Sequence, residues 1–286
     1  MPNTLLAIPN VSEGRDQSAI EAIGAAFDGR LLDVHSDPDH HRSVFTLAGA
    51  PGELAGVVVN GAAEAVRRID VINRHEGIHP RVGAIDVAPI VYLRDGDRGA
   101  ACAEALVLGD QLGEQLELPV FLYGILAAGR TRAGLRHGGP VALGERIARG
   151  ELRPDFGPPR LHPTAGAVLV AARPPLIAFN VELAPPATLA DARAIAARIR
   201  EGGPEGLASV RAIGLWLEHQ GIAQVSMNVE DHRATPLVEV VAAIARHAEP
   251  SGAELVGLAP RAAFDGFPAD LPVANLRLIE EALAEK

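Results

Sequence analysis

Apolar residues come in short runs along this chain, and the spacing within each run predicts an element. Leu5–Pro9 reads as a short strand. The polar loop Asn10-Val11-Ser12-Glu13-Gly14-Arg15 follows, and Asp16 can cap a helix running to about Phe27. Leu31–Val34 and Ser43–Leu47 read as strands on either side of the turn residues Ser36-Asp37-Pro38-Asp39-His40-His41. Gly49-Ala50-Pro51-Gly52 punctuates the chain, and Glu53 to about Asp70 has the pattern of a long Ala-rich helix. Ala84–Tyr92 is a strand, Ala101–Leu116 a helix and Pro119–Tyr123 a strand. From Ala127 to Gly166 the pattern degrades into Gly, Pro, Arg and His, with one short helix at Leu143–Ala148. Irregular stretches of this length are usually functional or mobile.

The pattern restarts at Leu176–Val181, a strand, followed by a helix over Thr188–Glu201. Arg211–Leu217 and Ala223–Val229 form a strand pair about Glu218-His219-Gln220-Gly221. Thr235-Pro236 opens a helix to about His247, and Glu254–Gly257 is a strand. The order β-α-β-β-α-β therefore occurs here, and the first half begins with the same order. Each half opens on a strand running into Asn: Ile8-Pro9-Asn10 and Phe179-Asn180-Val181. The expected fold is α/β (α+β), with two ferredoxin-like β-α-β-β-α-β subdomains and mixed or antiparallel sheets. The boundary is placed at Arg173-Pro174-Pro175, giving subdomains 1–174 and 175–286. A length of 286 residues suits two such units better than one, although one large domain stays open.

Composition narrows the classes. Hydrophobic residues make up 48% and aromatics 3%, so the core is aliphatic. A net charge of −10 disfavours general binding to nucleic acid or to an anionic membrane, while leaving local basic clefts possible. The single cysteine, Cys102, excludes an intramolecular disulfide and reads as a small hydrophobe in a helix. No apolar stretch approaches the ~20 residues of a membrane span. The start of the chain has neither a basic region nor a cleavage signature, so a soluble cytoplasmic protein is expected.

The densest chemistry is Arg74-His75-Glu76-Gly77-Ile78-His79-Pro80-Arg81, just before an apolar strand. His75 and His79 have the i, i+4 spacing of a helical zinc pair, but Gly77 lies between them and Pro80 pushes His79 out of the α region. A structural loop or a general acid–base histidine remains. An imidazole can take and return a proton near neutral pH, and Arg74 and Arg81 would attract carboxylates. The Ser36–Arg42 loop is either a capped turn or a substrate-contacting loop. Backbone N–H groups after Asn10–Arg15 favour an anion, without a nucleotide fingerprint. By spacing alone, Gly157-Pro158-Pro159-Arg160-Leu161-His162-Pro163-Thr164-Ala165-Gly166 is a rigid linker with polar handles at Arg160 and His162. His137, His219, His232 and His247 carry no supporting pattern.

Taken together, several collinear segments resemble the formiminotransferase family. They include Ile8–Arg15, Leu31–Val34, Arg42–Thr46, His75–Val87, Pro154–Pro158, Leu176–Asn180, Ala223–Asn228 and Leu255–Leu258, and they span nearly the whole chain. The resemblance implies two α/β subdomains. It also implies transfer of a formimidoyl group from N-formimidoyl-L-glutamate to tetrahydrofolate, in histidine degradation and one-carbon metabolism. His79 matches the family's catalytic histidine, and Gly157–Gly166 its folate segment. Tetrahydrofolate would be a co-substrate, and no metal is expected. A homodimer is implied by the family only. Since the chain ends at Lys286, a separate cyclodeaminase partner would handle the product. Asn10, Arg15, His41, Arg42 and Arg81 are further substrate-contact candidates, with Arg15, Arg42 and Arg81 suited to carboxylates. His35, His41 and Ala165 depart from residues common in the family, which leaves a formyl donor open. The other readings are a folate-binding protein without turnover and a metal-dependent amidohydrolase using His75, His79 and the His40-His41 pair.

Overall fold

The computed structural model describes residues 4–74, 80–218 and 220–285. The chain divides into two compact units, Met1–Arg173 and Pro174–Lys286. In the first, β1 (Leu5–Ala7) and β2 (Asn10–Val11) lie in one lane between the same two neighbours. Pro9 has no N–H and breaks that lane, but its carbonyl still accepts from Phe45 N at 3.0 Å. Next come α1 (Gln17–Ala26), β3 (Arg30–Asp37), β4 (Arg42–Gly49), α2 (Leu54–Arg68) and β5 (Ile85–Tyr92). Asp16 caps α1 by accepting from Ala19 N at 3.1 Å. The strand order β3–β4–β1/β2–β5 is antiparallel and ferredoxin-like.

The first unit then extends that plan. After β5 come α3 (Arg98–Gln115), β6 (Val120–Leu122), α4 (Arg132–Arg136), α5 (Gly139–Ala148) and β7 (Val168–Arg173). Strand β7 inserts parallel between β5 and β6, so the sheet is mixed. Every residue of β5 is buried, because it lies inside the sheet with both faces covered. The main core holds residues of α1, α2 and α3 against one face. A smaller core of Val87, Phe121, Leu169, Leu135, Leu143 and Ile147 lies on the other, under α4 and α5. The irregular stretch after Ala127 thus contains two helices that cover a sheet face, where a single short helix was expected.

The second unit holds β8 (Ile177–Leu183), α6 (Leu189–Ile199), β9 (Val210–Leu217), β10 (Ile222–Val229), α7 (Leu237–Ala245), β11 (Pro250–Val256), β12 (Val273–Ala274) and α8 (Ile279–Ala284). Its sheet order is β12–β11–β8–β10–β9, again ferredoxin-like over its first four main strands. Thr188 and Asp191 form a capping box that starts α6. Alternation divides the sheet cleanly. Phe179, Val181, Val225, Met227 and Leu255 enter the core with α6 and α7, while Asn180, Glu182, Gln224, Ser226 and Glu254 stand on the opposite face. Among the described residues, no helix is long and apolar enough to cross a membrane.

Candidate functional site

The polar loop after β2 is held by short local bonds. Glu13 Oε1 accepts from Arg15 N at 2.8 Å and Asp16 N at 2.9 Å. Ser12 Oγ donates to Gly83 O at 2.7 Å, and Ser43 Oγ donates to Glu13 O at 2.6 Å. Gly14 runs so close to the β3–β4 turn that a Cβ there would sit 2.3 Å from Asp37 O and 2.5 Å from Arg42 N. Only glycine allows this approach. Its N–H donates to His41 Nδ1 at 3.1 Å, and Glu13 Oε1 lies 3.3 Å from the same ring nitrogen. Arg15 Nε donates to Pro38 O at 3.0 Å. Asn10 turns its amide back to Ile8 O at 3.1 Å.

The β3–β4 turn is built on Asp37. Its Oδ1 accepts from Asp39 N and His40 N, both at 2.9 Å, and its Oδ2 pairs with His40 Nδ1. Burial works to raise the Asp37 pKa, but the His40 ring and these N–H groups outweigh it and hold the carboxyl at about 2. His41 adopts a positive φ of 50°. Arg81 secures that geometry from below the turn. It is only 4% exposed, and it donates to His41 O at 2.8 Å and His40 O at 2.7 Å.

A buried carboxylate, Asp86, anchors the other side. It sits in the fully buried strand β5, accepts from Val82 N at 2.8 Å and pairs with Arg136 of α4. Arg42, Arg81, Arg132, Arg136 and Arg15 act on one another electrostatically around Asp86 and Asp37. Burial is the largest cause lowering the pKa of Arg42 to about 10, followed by repulsion from Arg136. Burial likewise lowers Arg81 to about 10, against the pull of Asp86. Guanidiniums stay charged at working pH, so these shifts report chiefly how far burial strips the two groups of water. Five guanidiniums gather here with the carboxylates of Asp86 and Asp37, and Glu13 lies 3.3 Å from His41, on a protein whose net charge is −10. An anionic group entering here would be attracted, and bidentate contact with a carboxylate is the favoured geometry. At the end of β6, Tyr123 is buried, its hydroxyl has no hydrogen-bond partner among the described residues, and the Arg132 Cζ lies 5.9 Å from its ring centre.

The segment Gly157–Gly166 docks on the start of β5. Ala84 N donates to Ala165 O at 2.8 Å, Ala167 N to Val82 O at 2.9 Å, and Val71 N to Thr164 O at 3.0 Å. Gly83 faces Gly166 across an isolated bridge, and a Cβ on Gly83 would fall 1.8 Å from Ala167 O. The segment is thus fastened to the backbone on both sides of residues 72–81. His162 Nδ1 accepts from Ala165 N at 3.0 Å, and burial lowers its pKa. Leu161 packs against the smaller core, and Ala165 is buried in the main one. Gly157, Pro159, Arg160 and Pro163 are exposed, with Pro158 and Thr164 half-buried. Arg160 lies 3.7 Å from Glu117 in an exposed pair of little energetic weight.

Of the residues singled out in the sequence, the fold brings Arg15, His41, Arg42 and Arg81 together, and Gly157–Gly166 adjoins Val82–Ala84. Asn10 bonds within its own lane, and His35 is half-buried in β3, opposite Val44. His75 and His79 lie outside the described residues. Sequence reading missed Asp86, Arg132, Arg136 and Tyr123. A carboxylate inside an otherwise apolar strand was a signal for the first. The i, i+4 spacing of Arg132 and Arg136 was a signal for the pair, obscured by the irregular stretch around it.

Fold and cluster together define a two-unit α/β protein with an arginine-rich site suited to carboxylates in its first unit. The family description "Formiminotransferase domain, N-terminal subdomain" matches residues 4–173, and "Formiminotransferase domain" matches residues 178–266. The chain belongs to the formiminotransferase family. It is 38% identical to formimidoyltransferase-cyclodeaminase of Sus scrofa over 98% of this chain and 55% of that protein. It is 34% identical to glutamate formimidoyltransferase of Streptococcus pyogenes serotype M1 over 91% of this chain and 90% of the relative. The same name and identity hold for a protein of Thermoplasma acidophilum, over 90% of this chain and 88% of the relative. The chain spans about half the length of the cyclodeaminase relatives it matches, 55% for the first and 51% for that of Gallus gallus.

Proposed function

We propose that this chain transfers the formimidoyl group of N-formimidoyl-L-glutamate to N5 of tetrahydrofolate, giving 5-formimidoyltetrahydrofolate and L-glutamate. The observation carrying the reading is its match to two relatives named glutamate formimidoyltransferase over 88–90% of their length. The arginine cluster supports it, since both substrates carry carboxylates and five guanidiniums gather in one place.

The chemistry asks for one proton carrier. N5 attacks the amidine carbon and a tetrahedral intermediate forms. The bond from that carbon to the glutamate nitrogen then breaks. A base must take the N5 proton, and an acid must protonate the departing nitrogen. His79 is proposed for both steps, because an imidazole can return the proton it took. Arg42 and Arg81, with Arg15 beside them, would hold a substrate carboxylate. Arg81 is two residues from His79 in sequence and is fixed by two backbone carbonyls. Gly157–Gly166, tied to Val82–Ala84, is proposed to contact the folate. Tetrahydrofolate is a co-substrate on this reading. Homodimerisation, a cytoplasmic location and hand-over of the product to a cyclodeaminase belong to the same proposal.

The test is His79→Ala. Turnover should fall by roughly 10²–10⁴-fold with the fold retained, as loss of a general acid–base implies. A folded His79→Ala protein with wild-type kcat would remove His79 from the mechanism.

A further inference from the structure

The second unit carries a polar sheet face that the proposed mechanism does not use. Register places Gln224 directly opposite Glu182 and Asn180 directly opposite Glu254, with all four side chains on the face away from α6 and α7. Asn180 Nδ2 donates to Glu254 Oε2 at 2.9 Å, and Asn275 Nδ2 donates to Glu254 Oε1 at 3.2 Å. Glu254 is therefore oriented by two amides. Gln224 is 1% exposed, yet its Oε1 has no hydrogen-bond partner among the described residues. A buried carbonyl oxygen left without a donor is destabilising, because it has given up water for nothing. Gly252 pairs with Glu182, and a Cβ there would lie 3.2 Å from Glu182 Oε2, so the glycine lets that carboxylate lie close over the β11 backbone. The face thus gathers acceptors: the Glu182 carboxylate, the Glu254 carboxylate and the orphaned Gln224 oxygen. Burial and the neighbouring Glu254 raise the Glu182 pKa, as expected for a carboxylate short of positive partners.

We infer that this face is a recognition site for a planar N–C–N edge rich in N–H donors, with Glu182 accepting from it and Gln224 Oε1 receiving a further N–H. A carboxylate matches two parallel N–H groups on such an edge. Naming the ligand rests on the transferase reading, which supplies two sources of this one chemistry. One is the amidinium of the formimidoyl donor. The other is the 2-aminopyrimidinone ring of tetrahydrofolate.

The test needs no turnover. Formamidinium chloride and free pterin are each titrated calorimetrically into the full chain as wild type, Glu182→Gln and Gln224→Met. At least one probe should bind wild type, and its affinity should drop about tenfold or more in both variants. The responding probe identifies the source. The inference is overturned if neither probe binds wild type, or if a bound probe holds as tightly to a folded variant. Circular dichroism checks each fold, and either folded variant decides the matter alone. Transferase turnover is assayed separately, so failure of that reading would leave this binding result standing.

Discussion

Replacing Asp86 with Asn removes a buried negative charge from among the guanidiniums and keeps the side-chain shape. Asn retains a carbonyl oxygen, so the 2.8 Å bond from Val82 N can survive. The pairing with Arg136 loses its charge, and in that pair the side chains are only 13% and 3% exposed. Arg42 and Arg81 also lose the carboxylate that steadies them. Breaking a buried pair by removing one partner costs about 3–5 kcal/mol, because the remaining charge stays buried and uncompensated. With a urea slope of about 2 kcal/mol/M for a unit of this size, the midpoint should fall by roughly 1.5–2.5 M. Removing Arg136 as well, in Asp86→Asn/Arg136→Met, should restore part of that loss and give a positive coupling energy. Sulfate should stabilise the single variant more than wild type, since it can supply the missing charge. A midpoint shift under about 0.5 M, with no coupling in the double variant, would refute the picture of a cluster balanced by Asp86.

Two further outcomes follow from the same geometry. In Gly83→Ala the new Cβ would meet Ala167 O at 1.8 Å and Ala165 O at 2.9 Å, both backbone atoms. The Gly157–Gly166 segment must then part from β5, and urea unfolding should show a loss of about 3 kcal/mol or more; a wild-type midpoint would contradict this. Asp37 has a folded pKa of about 2 against an ordinary 3.8. A depressed carboxylate contributes stability above its unfolded pKa and loses it as pH falls through the folded value. That 3.8-to-2 window should therefore take away about 2 kcal/mol in wild type, and Asp37→Asn should lack this component in melts across pH 5 to 2.

Much of this arrangement was readable from the chain, and the remainder was hidden for physical reasons. The Asp16 cap, the apolar strand at Ile85–Tyr92 and the paired strands β9 and β10 are local signals, and each element formed near its expected bounds. Strand β7 was not read because Val168–Arg173 is nearly continuously apolar, without the alternation of a half-exposed strand. Helices α4 and α5 meet at Gly138-Gly139-Pro140, which reads as loop chemistry. Within the site, Arg15, Arg42 and Arg81 were legible as cations beside polar turns. The Asp86–Arg136 pair spans 50 residues and depends on α4 covering the second sheet face, which no local pattern encodes.

The most direct measurement is glutamate release from N-formimidoyl-L-glutamate by the purified chain, with and without tetrahydrofolate. The transferase account expects release only when tetrahydrofolate is present, with one formimidoyl group appearing on folate for each glutamate freed. Equal release without tetrahydrofolate would show a hydrolase instead. Tetrahydrofolate binding with no release at all would leave a folate-binding protein without turnover, and either result would contradict the account.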